Sequence, residues 1–258
     1  MDPLYEEIRN KALAIASGFP EPSFYTEKAW EFEQSRMFFH ANPVIAELCE
    51  VVSRDTQNDF GHGIIHAVKV TIDAGALVLC ETRSGTEGKK QERLLFLAQI
   101  AGLLHDIARG EKDHARKGAE RAAQVLADMG LCSREVEDVR EAIANHEAFV
   151  AASPVSTREA DLLSGCLYDA DKFRWGPDNF TETVWRMVSY FRAPLGIFMA
   201  RYPEGMVSIE KIKSTFRTQT GRIYGPEFID LGLAIGREIL AMIKNDYGDY
   251  LDSPGGTR

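Results

Sequence analysis

Apolar residues recur at three- and four-residue intervals along nearly the whole chain. That spacing matches one face of an α-helix, and the strict alternation of a half-buried strand is hard to find. The pattern predicts helices over 3–17, 24–41, 43–54, 62–82, 91–108, 113–129, 133–148, 156–170, 179–200, 206–218 and 226–247. Glycine, proline and small polar residues predict breaks near 18–22, 58–61, 84–88, 110, 130, 153–154, 176–177, 203–205 and 221–226. Thr26, Ser133 and Ser156 stand where helix caps belong, and Ser156 precedes Glu159 at capping-box spacing. The expectation is an all-α fold in one globule. An N-terminal helical segment (1–55) precedes a core (56–175), and a C-terminal helical layer (176–250) follows.

Several apolar stripes end on a polar residue. Leu94, Leu97, Ala98 and Ala101 lead to His105, with Asp106 beside it. Val136, Val139 and Ile143 lead to His146, and Ala160, Leu163 and Leu167 lead to Asp171. His66 starts a stripe that continues through Val70, Ala74 and Leu77. One histidine or aspartate at a helix end is ordinarily a cap or a satisfied core group. Burying an unpaired polar group costs roughly 2–7 kcal/mol, so several at once are best explained by a shared metal ion. Nitrogen and oxygen donors suit a borderline or hard divalent cation. No paired cysteines point to a structural zinc knuckle.

Composition narrows the partners. The 258-residue chain is 45% hydrophobic, enough for a substantial core, and its net charge of -9 disfavours nucleic acid. A small phosphorylated substrate stays compatible, because an ion and a few local cations can reverse the sign inside one cleft. Cys49, Cys80, Cys132 and Cys166 are expected as single buried thiols in a reducing compartment. The first residues carry acidic rather than basic charge, and the apolar run at 94–104 is too short to span a bilayer. A cytoplasmic protein without a membrane partner is therefore expected.

With these residues in view, the sequence resembles the HD-domain superfamily of metal-dependent phosphohydrolases, named for its His-Asp doublet. The resemblance rests on His66 in HGIIHAVKV, His105-Asp106 in LLHDIARG, His114 in HARKGAERA, His146 in AIANHEAF and Asp171 in YDADKFRW. It spans about residues 58 to 175. It implies an HD-type helical bundle in which His66, His105, Asp106 and Asp171 bind a first metal. His114 and His146 would complete a second site. The expected cofactor is one or two divalent ions, with Mn, Fe, Co, Ni, Mg and Zn all open. Two departures stand out. The family's Gly after the doublet's Ile is Ala108 here, and His114 follows Asp106 by only eight residues. The closeness of His114 leaves open a substrate contact in place of a second metal.

The implied reaction is hydrolysis of a small phosphate ester or nucleotide by a metal-activated water. Asp106, Arg109 and Lys172 are the candidate catalytic groups. His62, Lys69, Arg109, Lys172, Arg174 and Trp175 are the candidate substrate contacts. Arg109 lies about one helical turn after Asp106, and Arg's planar fork suits phosphate. Trp175, in the loop after Asp171, is placed to stack on a base or cap the pocket. Tyr190, Phe191, Arg192 and Arg217 are expected to wall it, and His40 to be structural or on the surface. A di-iron oxygenase with the same ligand set and a non-catalytic ligand-sensing module are the alternatives. A homodimer is left open.

Overall fold

The structure is a computed structural model, and it describes residues 1–55, 63–83 and 87–251. His62 lies outside the described residues. So do the expected breaks at 58–61 and, in large part, 84–88.

Helices α1 (Pro3–Ala16), α2 (Ser23–Glu27), α3 (Ala29–Ala41) and α4 (Pro43–Asp55) form the N-terminal segment. Then come α5 (Ile64–Thr82), α6 (Gly88–Leu104), α7 (His114–Leu126), α8 (Ser133–Ala144) and α9 (Arg158–Phe173). A π-turn at Asn179–Thr183 leads into α10 (Val184–Tyr190), α11 (Leu195–Glu210), α12 (Gln219–Asp246) and α13 (Gly248–Leu251). No strand occurs among the described residues, so the fold is all-α. None of the described helices is long and apolar enough to cross a membrane.

The antiparallel pair α5 and α6 forms the centre. Residues 70–79 of α5 and 94–104 of α6 are buried on every face. Their backbones approach closely where Gly102 meets Thr71, because a Cβ at residue 102 would lie 2.6 Å from the Thr71 Cα. α9 packs across α5, α6 and α8. Phe173 of α9 stacks on Phe228 of α12 at 4.1 Å, and Phe24 of α2 packs against both. These three rings join the N-terminal, central and C-terminal helices, each burying a large apolar area.

Several predicted boundaries move. The stretch 24–41 divides at Lys28, and 179–200 divides at the π-turn and again after Tyr190. The break expected at 203–205 is absent, because α11 continues through Pro203 to Glu210. The helix expected over 206–218 is instead the end of α11 and a 3-10 turn at Lys211–Ser214. The break expected at 221–226 is also absent, because α12 runs through Gly221, Gly225 and Pro226.

The reason lies in packing. Glycine and proline read as helix breakers from local propensity, which tertiary contacts override. Each α12 glycine faces a neighbour that leaves no room for a side chain. Gly225 sits against the Phe216 ring, and a Cβ at Gly232 would lie 2.6 Å from the Gly176 carbonyl carbon. Backbone cannot step aside as a side-chain tip can. Gly232→Ala is therefore expected to cost about 1–3 kcal/mol, read as a lower midpoint in urea unfolding. An unchanged midpoint would show that α12 and the turn at Gly176 are free to separate.

The caps shift by one residue. The N-cap of α8 is Cys132, whose backbone N–H donates to Glu135 at 2.9 Å. The N-cap of α9 is Thr157, whose hydroxyl accepts from the Ala160 N–H at 2.8 Å. Ser156 turns instead to Glu141. Thr26 lies inside α2 rather than ahead of it.

Candidate metal centre

α6 ends at Leu104, four residues earlier than its apolar stripe suggests, so His105 and Asp106 stand just past its C-terminus. α8 likewise ends at Ala144, two residues before His146. Asp171 is in the last turn of α9, His66 in the first turn of α5, and His114 is the first residue of α7. Asp113, before His114, has a left-handed backbone with φ 59°. Helix ends from five elements thus converge.

Backbone carbonyls orient two of the rings. His105 Nδ1 lies 2.8 Å from the Gly102 carbonyl, and His146 Nδ1 lies 2.6 Å from the Ile143 carbonyl. A carbonyl only accepts, so each Nδ1 carries a proton, and Nε2 is the atom left to ligate in the neutral ring.

The donors form two groups of three: His66, His105 and Asp171, and Asp106, His114 and His146. Within each group the donor atoms lie within 4.8 Å of one another. In the first group His66 Nε2 is 3.3 Å from both His105 Nε2 and Asp171 Oδ1. Asp106 faces both groups. Its Oδ2 lies 3.4 Å from His105 Nε2 and 4.0 Å from His66 Nε2. Its Oδ1 lies 3.5 Å from His146 Nε2 and 3.9 Å from His114 Nε2.

Asp106 Oδ1 and His146 Nε2 are both buried without a hydrogen-bond partner. Leaving such atoms unsatisfied costs about 1–3 kcal/mol each. A divalent cation would satisfy both, and the set of imidazole nitrogens and carboxylate oxygens is chemically suited to one. The residues fit the group.

Burial alone would lower the pKa of His105, but Asp106 and Asp171 beside it raise it. Burial pushes the Asp106 carboxyl up, but His105, His146 and Arg109 reverse this and hold it well below the usual carboxylate range. Burial also opposes ionisation of Asp171, and Lys172, His66 and His105 together hold it well below that range. Both carboxylates are therefore charged donors. Burial, reinforced by Arg109, lowers the pKa of His114 and favours its neutral, ligating form.

The other sequence-derived candidates fall in different places. Arg109 is at the rim, donating to His114 Nε2 at 2.9 Å and 3.8 Å from Asp106 Oδ1. Lys172, expected to meet substrate, is buried, and its Nζ donates to the Asp171 carboxylate and to the His146 carbonyl. Arg174, also expected to meet substrate, is buried among Asp73 at 2.5 Å, Tyr25 at 2.6 Å and Asp178 at 2.6 Å. Lys69 pairs with the same Asp178 at 2.7 Å. Trp175 is half-buried and edge-on to Phe149, with centroids 6.3 Å apart.

Two features were not foreseen. Phe149 is 58% exposed and has φ 63°, an uncommon backbone for a bulky residue. Asn145 brackets the following loop, accepting from the Ser153 N–H at 2.8 Å and donating to its carbonyl at 3.1 Å. Neither belongs to a periodic stripe, so helical spacing carried no signal for them. All four cysteines are free thiols, as expected, but only Cys166 is buried: Cys49 and Cys80 are half-buried and Cys132 is exposed.

A helical bundle that gathers histidine and aspartate donors from several helix ends defines a class of metal-site proteins. Residues 63–176 match the HD domain. The chain carries an HD domain over that stretch. The matched region contains every donor named above. No curated protein matches the chain. The crystal structure of a predicted HD superfamily hydrolase from an uncultured Thermotogales bacterium is similar at 23% identity and a TM-score of 0.48. That match covers 80% of this chain and 97% of the other.

Proposed function

We propose that this protein is a metal-dependent phosphohydrolase acting on a small phosphate ester or nucleotide. The observation that carries the reading is the buried, unsatisfied pair Asp106 Oδ1 and His146 Nε2 within the second of two three-donor groups. His66, His105 and Asp171 would hold one divalent ion, His114 and His146 a second, and Asp106 would face both. Such ions lower the pKa of water and polarise a phosphoryl oxygen.

The chain's own residues supply the rest. Asp106, kept ionised by its neighbours, orients the attacking water and accepts a hydrogen bond from it. Arg109 is the rim cation, 39% exposed, and its guanidinium matches a phosphate by a paired hydrogen bond. Trp175 and Phe149 offer apolar surface beside the centre for the organic part of the substrate. Lys172 is committed to Asp171 and the His146 carbonyl, so it holds the site instead of reaching substrate.

The test is phosphate release from a panel of nucleotides and phosphomonoesters. Chelator-treated protein is resupplied in turn with Mn, Co, Ni, Mg and Fe. Metal-dependent release on at least one substrate is expected. Turnover only with iron and only with oxygen uptake would instead support the oxygenase alternative. No turnover of either kind would support a ligand-sensing module.

A further inference from the structure

The HD match ends at residue 176, yet a side chain from beyond it reaches the backbone next to His146 of the second donor group. Arg217 lies in the turn before α12, and its Nη1 donates to the Asn145 carbonyl at 2.8 Å. The next carbonyl along, that of His146, is held by Lys172 at 3.0 Å. Two cations therefore grip successive carbonyls at the residue that supplies His146 Nε2.

Both cations also lie on one ring. Arg217 is 3.6 Å and Lys172 4.9 Å from the centroid of Tyr168 in α9. Cation–π attraction adds to each placement. The Arg217 turn is itself tied to α9. Asp169 accepts from the backbone N–H groups of Arg217 and Thr218, both at 2.8 Å, and from the Thr218 hydroxyl at 2.7 Å. The approach is close at Gly165, where a Cβ would lie 3.1 Å from Thr218 Cγ2. The link from Asp169 through Arg217 to the 145–146 backbone is thus continuous.

We propose that Arg217 is a positioning residue for the second ion site, fixing the backbone that aims His146. It touches neither ion nor substrate in this role. It acts just past the end of α8, on the carbonyl side of a backbone whose N–H groups and His146 ring are already held by the last carbonyls of that helix. Groups that orient a ligand typically change metal affinity by about 10–100-fold when removed. The proposal rests on the two-group metal centre described above.

The test is calorimetric titration of chelator-stripped full-length protein with Mn2+, in wild type, Arg217→Met, Arg217→Lys and His146→Ala. His146→Ala identifies the binding event that depends on His146. In Arg217→Met that event should weaken about 10-fold or more, while the event assigned to His66, His105 and Asp171 keeps its affinity. The unchanged event is an internal control, since a misfolded variant would lose both. Arg217→Lys keeps a charged donor and should recover most of the loss.

An unchanged His146-dependent event in Arg217→Met would overturn the proposal. So would equal weakening of both events, or no recovery in Arg217→Lys. If wild type takes up one ion, the same criterion applies to it, and an ion indifferent to His146→Ala overturns the proposal. A wild-type protein that binds no Mn2+ overturns the metal reading and this inference together. Binding that is normal in Arg217→Met overturns this inference alone.

Discussion

Asp106→Ala is expected to lower metal-dependent phosphoester hydrolysis by roughly a thousand-fold, because ion-assisted charge stabilisation contributes several kcal/mol and each ~1.4 kcal/mol is a decade in rate. Asp106 has this leverage because its two oxygens face different donor groups. Oδ2 lies toward His105 and His66, and Oδ1 toward His146 and His114. Replacing any one histidine removes a donor from one group, whereas removing this carboxylate weakens both. Asp106→Asn keeps the shape but loses the charge that neighbouring rings stabilise, so it should fall between alanine and wild type. Phosphate-release kinetics at saturating Mn2+ check the order, with far-UV circular dichroism confirming that each variant is folded. Full activity in Asp106→Ala would remove the doublet from the chemistry.

Arg174→Ala should have the largest effect on stability. Among the described residues, Asp73 is buried and accepts hydrogen bonds from Arg174 and Tyr25. Breaking a buried ion pair costs about 3–5 kcal/mol, which lowers melting by roughly 6–20 °C in a chain of this size. The loss should depend on pH with a defined sign. Burial pushes the Asp73 carboxyl up to about 6 from its ordinary 3.8, even with Arg174 opposing it. A folded value above the unfolded one means that the folded state binds more protons in that window. The stabilising contribution is therefore present at acid pH and lost as pH rises through about 6. Without the guanidinium the carboxyl moves further up, so the deficit against wild type should widen as pH rises through and above about 6. Thermal melts across that range measure it. Asp73→Asn combined with Arg174→Met should recover part of the stability, because no lone charge then remains.

These two residues mark what the sequence makes legible. Asp106 is visible because it adjoins a histidine that ends an apolar stripe, and a polar group on a buried face is an anomaly that local spacing exposes. His66, His146 and Asp171 are visible for the same reason. The HD resemblance added His114, which no stripe indicates. Arg174 is different. It follows Asp171 closely, so proximity along the chain suggests a substrate contact, but its partners are Tyr25 and Asp73, brought near only by the packing of α2 and α5 on α9. Lys172 was misplaced by the same logic, since its ammonium turns inward to Asp171 and the His146 carbonyl. Pro203 and Pro226 mislead for another reason. Their local cost to a helix is real, and burial of α11 and α12 against their neighbours outweighs it. Helical period and buried polar residues are local signals, whereas ion-pair partners and close glycine contacts are set by tertiary packing.

The central claim is that Asp106 lies between two sets of metal donors. Anomalous diffraction from crystals grown with Mn2+ tests it most directly. Two manganese peaks should flank the Asp106 carboxylate, one against His66, His105 and Asp171 and the other against His114 and His146. Crystals with no manganese peak at these residues would contradict the account.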